Sequence, residues 1–343
     1  MFLYLILFLA VSVLIKFIKK EKFNYIDFVL IFFMIAIAGF RDGIGTDYNM
    51  YKSFYFYPDQ IAAKKVEWGF IELIKISQNM FGERYYLFFL ICSILTILPI
   101  YYIFKEKSSY PAFSLLLFIS LGFYTLSFNM VRQCIAIAIA FYALKYIEER
   151  KLIKYCFFIG VACLFHMTAL IMLPMYFLAN IEIKKSTLKK FFVISLFAGI
   201  LFNPIFSYVV NNIPQYEMYR TYNSVEAGIG TYLVDLIYLL MIWFVISKKE
   251  TIIKSKFEGI CLNISVLAVP MIVFSLKNIL FARMIYYFFI PILIPFANTL
   301  KFFNVKLTQR VYNYTIVIGL LIIYVLNIIA FNGVYPYASI FNL

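Results

Sequence analysis

The sequence predicts an all-α fold, a polytopic transmembrane helical bundle of about 10–12 membrane segments, from its composition and from the spacing of its apolar runs. Hydrophobic residues make up 64% of the 343 positions, with 40 Phe and 29 Tyr, and mean hydropathy is +0.89. Ordinary soluble domains sit near half apolar. Apolar stretches of about 17–25 residues, the length that crosses a bilayer, recur from one end of the chain to the other. A soluble core cannot absorb that much apolar surface. A single integral membrane domain over 1–343 is expected, with no internal repeat, low-complexity tract or soluble domain.

Apolar passes fall at 1–18, 25–40, 84–104, 110–127, 128–147, 190–210, 231–247, 256–276, 279–300 and 311–331. The first reads as a retained helix, because no small-residue cleavage site precedes the basic cluster Lys16, Lys19 and Lys20. The stretch 153–180 is too long for one upright pass, with His166 at its middle and Pro174 beyond. Charge decides how to read it. As a hairpin of two short half-helices with its apex near His166, it leaves the basic clusters around Lys16, Lys105, Lys145, Lys184, Lys248 and Lys301 all on the cytoplasmic side, as the positive-inside rule requires. A single pass would invert every later loop.

The net charge of +14 would point to nucleic acid in a soluble protein. Here only ten of the 31 Lys and Arg fall outside the cytoplasmic segments, against nine of the 17 acids, so the excess is a topology signal and no nucleic-acid partner is expected. Two outer-face loops follow, at 41–83 and 211–230. The first contains an amphipathic helix from Glu67 to Met80, whose apolar side could lie along the membrane surface. The five cysteines all fall in apolar stretches without a CxxC pair and read as packing residues.

Charges at the membrane edge are costly, about 2.5–3.5 kcal/mol for Arg at a helix centre, so each needs a reason. Under this topology Arg41, Arg132, Gln133, His166, Asp235 and Arg283 gather toward the outer side. That is what an anion pocket beneath the headgroups needs, because Arg presents a planar fork of donors that keeps its proton when desolvated. The competing reading is that terminal arginines are snorkelling anchors, which fits Arg84 and Lys277 best. The segment from Arg41 to Tyr51 carries Gly43 and Gly45 for close backbone approach and Asp47 as a proton acceptor, or else is a plain turn. His166, the one histidine, could accept a proton or donate to a phosphate, or simply be a hydrogen-bonded structural residue. One His and scattered acids make no metal-ligand set, so no metal or cofactor is expected.

Five segments in order resemble the EpsG family of Wzy-type polysaccharide polymerases: FRDGIGTDYNMY (Phe40 to Tyr51), EWGF (Glu67 to Phe70), FNMVRQCIAIAIAFYAL (Phe128 to Leu144), FHMTALIMLP (Phe165 to Pro174) and ARMIYYF (Ala282 to Phe288). The resemblance implies a GT-C-like membrane glycosyltransferase of the bacterial inner membrane. It would join undecaprenyl-diphosphate-linked oligosaccharides, as donor and acceptor, into O-antigen, capsule or exopolysaccharide at the outer face. It implies catalytic roles among Asp47, Glu67 and His166, any of which could be the base. Substrate binding would fall to Arg41, Tyr48, Tyr51, Arg132, Gln133 and Arg283, with Arg220, which lies outside the matching segments in the outer loop 211–230, as a further candidate cation. The surroundings implied are membrane lipid, a chain-length regulator and a flippase. Two other classes stay open. A flippase of lipid-linked oligosaccharide would need access to both faces and a polar midplane, and a membrane O-acyltransferase would also use a His.

Overall fold

The computed structural model describes residues 1–14, 25–58, 66–181, 185–212, 229–275, 279–302, 306–331 and 333–341. Every regular element among them is helical, and the chain is an all-α membrane protein. Among the described residues, three helical runs are long and apolar enough to cross a membrane, Tyr85–Lys107, Lys256–Ser275 and Phe281–Leu300, and several shorter helices are apolar as well. The residues group into two compact units, Met1–Leu173 with Ala297–Leu343, and Pro174–Phe296.

The first unit holds α1 (Phe2–Leu14), α2 (Tyr25–Gly39), α3 (Tyr48–Phe56), α4 (Trp68–Phe81), α5 (Tyr85–Lys107), α6 (Pro111–Ser120), α7 (Phe123–Leu126), α8 (Val131–Glu148) and α9 (Leu152–Cys163). Its centre is α8, which buries Ala136, Ala138, Ala140 and Ala143 and packs against α5 and α9. Small side chains let helix backbones approach closely where lipid offers no hydrophobic drive to associate. The pass read over 110–127 is interrupted. Gly122 takes φ +86, a left-handed conformation that ends α6 and starts the short α7.

Ion pairs mark one end of this unit. Lys105 holds Asp27 at 2.8 Å with both side chains buried, Tyr101 also donates to Asp27, and Lys107 meets Glu148 at 2.8 Å. A buried charge is costly unless it is paired or fully hydrogen-bonded, as these are. The opposite end carries the loop after α2, the turn before α8 and the C-terminal tail. Asp42 N–H donates to the Ala338 carbonyl and Ile340 N–H to the Phe40 carbonyl, each at 3.0 Å, and the Tyr4 hydroxyl reaches the Val334 carbonyl.

The first arm and the turn of the hairpin expected over 153–180 are present, while 174–180 falls in the second unit. After α9 the chain turns at 164–166 and continues as a 3-10 helix, Met167–Met172, whose last carbonyl accepts the Tyr155 hydroxyl. Tyr155 lies near the start of α9, so residue 172 has returned toward the level from which α9 set out. The amphipathic helix α4 packs differently from the surface-lying helix expected. Phe70 and Ile74 are fully buried in a cluster with Tyr51, Tyr55, Phe88 and Val131, so its apolar side faces protein.

The second unit contains α10 (Met175–Leu178), α11 (Lys185–Asn212), α12 (Ile229–Ser247), α13 (Lys249–Ile252), α14 (Lys256–Val266), α15 (Ala268–Ser275), α16 (Ile279–Met284) and α17 (Tyr286–Ala297). A capping box starts α14: Ser255 Oγ accepts from Glu258 N–H while the Glu258 carboxylate accepts from Ser255 N–H. After the second unit the chain re-enters the first through α18 (Lys306–Leu326).

Candidate functional site

Three separate stretches of the first unit meet at Glu67, the residue before α4. Arg132, in the first turn of α8, donates through Nη1 to Glu67 Oε2. Glu67 Oε1 accepts from Met167 N–H at 3.2 Å and lies 3.4 Å from His166 Nδ1. Gly69 makes this meeting possible. A Cβ there would stand 2.7 Å from both the Leu164 Cβ and the Leu164 carbonyl oxygen, so only glycine lets α4 lie this close to the turn carrying His166. The side chains of Glu67, Arg132 and His166 keep 15%, 21% and 25% of their surface exposed. They are shielded from bulk water yet open to a ligand.

His166 Nδ1 has rival partners. Thr168 Oγ1 lies at 3.2 Å and Thr168 N–H at 3.4 Å, on the same nitrogen that faces Glu67. Where the Thr168 amide donates to Nδ1, the neutral ring carries its proton on Nε2 and is a donor at that atom.

Tyr51 extends the cluster. Its ring is buried against Phe70, and its hydroxyl hydrogen-bonds Arg132. Burial pushes that hydroxyl up to about 12 and Asp47 adds to the rise, while Arg132 pulls the other way. Tyr51 is therefore a neutral partner that orients the guanidinium. Asp47 stands one helical turn before Tyr51 at the N-cap of α3, half-buried, with the Thr46 hydroxyl donating to its Oδ1 at 3.3 Å.

Arg41 sits differently. It is buried, and its guanidinium donates to the carbonyls of Ala38, Ile44 and Phe128 while lying 4.7 Å from the Phe89 ring centre and 4.9 Å from that of Phe128. Burial lowers its pKa from the ordinary value. Its position caps α2 and fastens the following loop to the turn before α8. Gly45 completes that fastening. It has φ +99, and a Cβ there would stand 2.6 Å from Asn129 Oδ1, the atom that accepts Thr46 N–H at 2.7 Å.

Tyr48 donates to Asp42 Oδ1 at 2.8 Å and stacks on Phe89. Gln133 is buried within α8. Arg283 is exposed in the last turn of α16, in the second unit, where Asp235 accepts from the Ser275 hydroxyl at 3.0 Å. Arg220 lies outside the described residues. Of the sequence-derived residues the structure thus brings together Asp47, Tyr51, Glu67, Arg132 and His166, and adds Asn129, Thr168 and the 333–340 tail. Asn129 and Thr168 stand inside the motif segments, where only their hydrogen bonds single them out. The tail carried no sequence signal.

These features define a helical membrane protein with a compact Arg–Glu–His cluster at one end of its first unit, away from the Asp27–Lys105 pair. The chain belongs to the EpsG family, whose family model matches residues 24–339. Membership supports a membrane polysaccharide polymerase-type role. No curated protein and no solved structure matches the chain.

Proposed function

We propose that the chain is a membrane glycosyltransferase that polymerises oligosaccharide repeat units carried on a polyprenyl diphosphate, in line with family membership, and that the Glu67–Arg132–His166 cluster is its leaving-group site. That cluster is the observation that carries the reading. An arginine and a histidine ring N–H, both held against Glu67 and partly shielded from water, suit the oxygens of a diphosphate. The acceptor unit's hydroxyl oxygen attacks the anomeric carbon of the donor chain's reducing-end sugar. The bond from that carbon to the phosphate oxygen breaks, and the lipid diphosphate leaves with the electron pair.

Charge grows on the diphosphate as the bond breaks. Arg132, aimed by Glu67 and Tyr51, and His166 through Nε2–H meet that charge, which stabilises the transition state more than the ground state. The acceptor's proton goes to Asp47, whose carboxylate is less engaged than that of Glu67. Arg41 and Gly45 hold the loop bearing Asp47. Undecaprenyl diphosphate as carrier, the GT-C-like fold and the outer face as the working side are parts of the same proposal, supported by the resemblance and by the charge distribution of the sequence.

The test is reconstitution of the purified chain in liposomes with lipid-linked repeat units isolated from a strain lacking it. A ladder of lipid-linked products at repeat-unit spacing is expected. Transbilayer movement of intact units without growth would overturn the reading in favour of a flippase.

A further inference from the structure

Beside the leaving-group site, the first unit holds a second polar cluster that the mechanism above does not use. Asp42 Oδ1 accepts from the hydroxyls of Tyr48 and Tyr85, at 2.8 and 3.2 Å. Lys52 donates to the Tyr85 hydroxyl at 3.1 Å, lies 3.8 Å from Asp42 Oδ1, and sits over the Tyr85 ring at 4.2 Å. Among the described residues Asp42 Oδ2 accepts no hydrogen bond, and Asp42 and Lys52 keep 43% and 35% of their side chains exposed. Phe56, which packs edge-on to Tyr85, and Tyr57 add exposed rings on the same stretch.

We propose that Asp42, Lys52 and Tyr85 form a carbohydrate subsite that holds vicinal hydroxyls of the repeat unit. A free carboxylate oxygen beside an ammonium group offers an acceptor and a donor a few ångströms apart, which suits hydroxyls that both give and take hydrogen bonds. An anionic ligand is disfavoured because Asp42 would repel it. Nearby aromatic rings suit the apolar faces of sugar rings.

Helix α3 ties the subsite to the chemistry. Tyr48 and Lys52 are four residues apart and share one face, while Asp47 and Tyr51 share the adjacent one. Asp47 and Lys52 are separated by about 7.5 Å of helix rise. A glycan gripped at Lys52 would therefore present a neighbouring sugar near Asp47. The proposal rests on the polymerase reading, to which it adds the place where the sugar is held.

The probe is the lipid-free repeat-unit oligosaccharide, cleaved from the lipid-linked unit that accumulates in a strain lacking this chain. Its binding to the full chain in nanodiscs is measured for wild type, Lys52→Gln and Tyr85→Phe, with Lys75→Gln on the exposed side of α4 as control. Lys52→Gln should weaken binding about tenfold, as loss of one charge-assisted hydrogen bond does, and Tyr85→Phe should weaken it less. In the polymerisation assay both should raise KM more than they lower kcat. Wild-type glycan binding that both variants retain, or no glycan binding by wild type, overturns the subsite even if polymerisation proceeds. Glycan binding that depends on Lys52 in a chain that fails to polymerise would instead keep the subsite and overturn the polymerase reading.

Discussion

Replacing Gly69 with alanine isolates the packing that assembles the cluster. Helix propensity alone favours alanine by about 1 kcal/mol at a helical position. Against that, the new Cβ would lie 2.7 Å from the Leu164 Cβ and carbonyl oxygen, where ordinary contact begins at 3.4 Å. Backbone cannot move aside as a side-chain tip can, so α4 and the 164–166 turn must separate by about 0.7 Å, the difference of those distances. Overpacking of this kind costs about 1–3 kcal/mol, which outweighs the propensity gain. The same shift would stretch the 3.2 Å hydrogen bond from Met167 N–H to Glu67 Oε1 to about 3.9 Å, beyond hydrogen-bond reach. Thermal unfolding in detergent should show a modest destabilisation, and polymer yield in liposomes should fall much more steeply. A Gly69→Ala protein as active as wild type would refute the claim that this close approach assembles the site.

Arg41→Lys should lower stability by about 2–4 kcal/mol with the membrane insertion pattern unchanged, because one ammonium cannot serve three carbonyls from different stretches; an unchanged unfolding transition would contradict its clamp role. Glu67→Gln keeps the shape and weakens the bond to Arg132 by about 1 kcal/mol, whereas Glu67→Ala leaves a half-buried guanidinium without its anion and should cost about 3 kcal/mol. Equal unfolding temperatures for those two variants would show that the pair adds little. Asp47→Asn should reduce polymerisation about a hundredfold or more while binding of the lipid-linked unit is retained, and near wild-type turnover would remove Asp47 as the base.

Most of the helical framework is legible in the sequence, because a bilayer demands long apolar runs. The turn back after α9 was expected from the length of the stretch 153–180 and from the charges that flank it. What α4 packs against was not readable, since a stripe such as Phe70 and Ile74 looks the same whether it meets lipid or protein. The helix Tyr48–Phe56 lay hidden within a loop, although the recurrence of Tyr48, Tyr51 and Tyr55 at three and four residues carries a helical period. Glu67, Arg132 and His166 could each be singled out, Glu67 through the family resemblance. Their meeting could not, because 65 residues separate Glu67 from Arg132 and the contact depends on Gly69 and on the turn at 164–166. Arg41 stood out as a cation, but only the structure gives its donors to three backbone carbonyls. The pairing of the C-terminal tail with the Phe40–Asp42 strand-like segment leaves no mark in residue type, since it runs through backbone groups.

The most direct measurement on the central claim compares wild type with Arg132→Lys in liposomes, scoring polymer length and, separately, binding of undecaprenyl diphosphate. Lysine keeps the charge but loses the planar fork that faces both Glu67 and a phosphate. Polymerisation should fall about 100-fold, the scale of removing a donor to developing charge, with binding reduced far less. Arg132→Lys protein that builds polymer at the wild-type rate and length would contradict the assignment of Arg132 to the departing diphosphate.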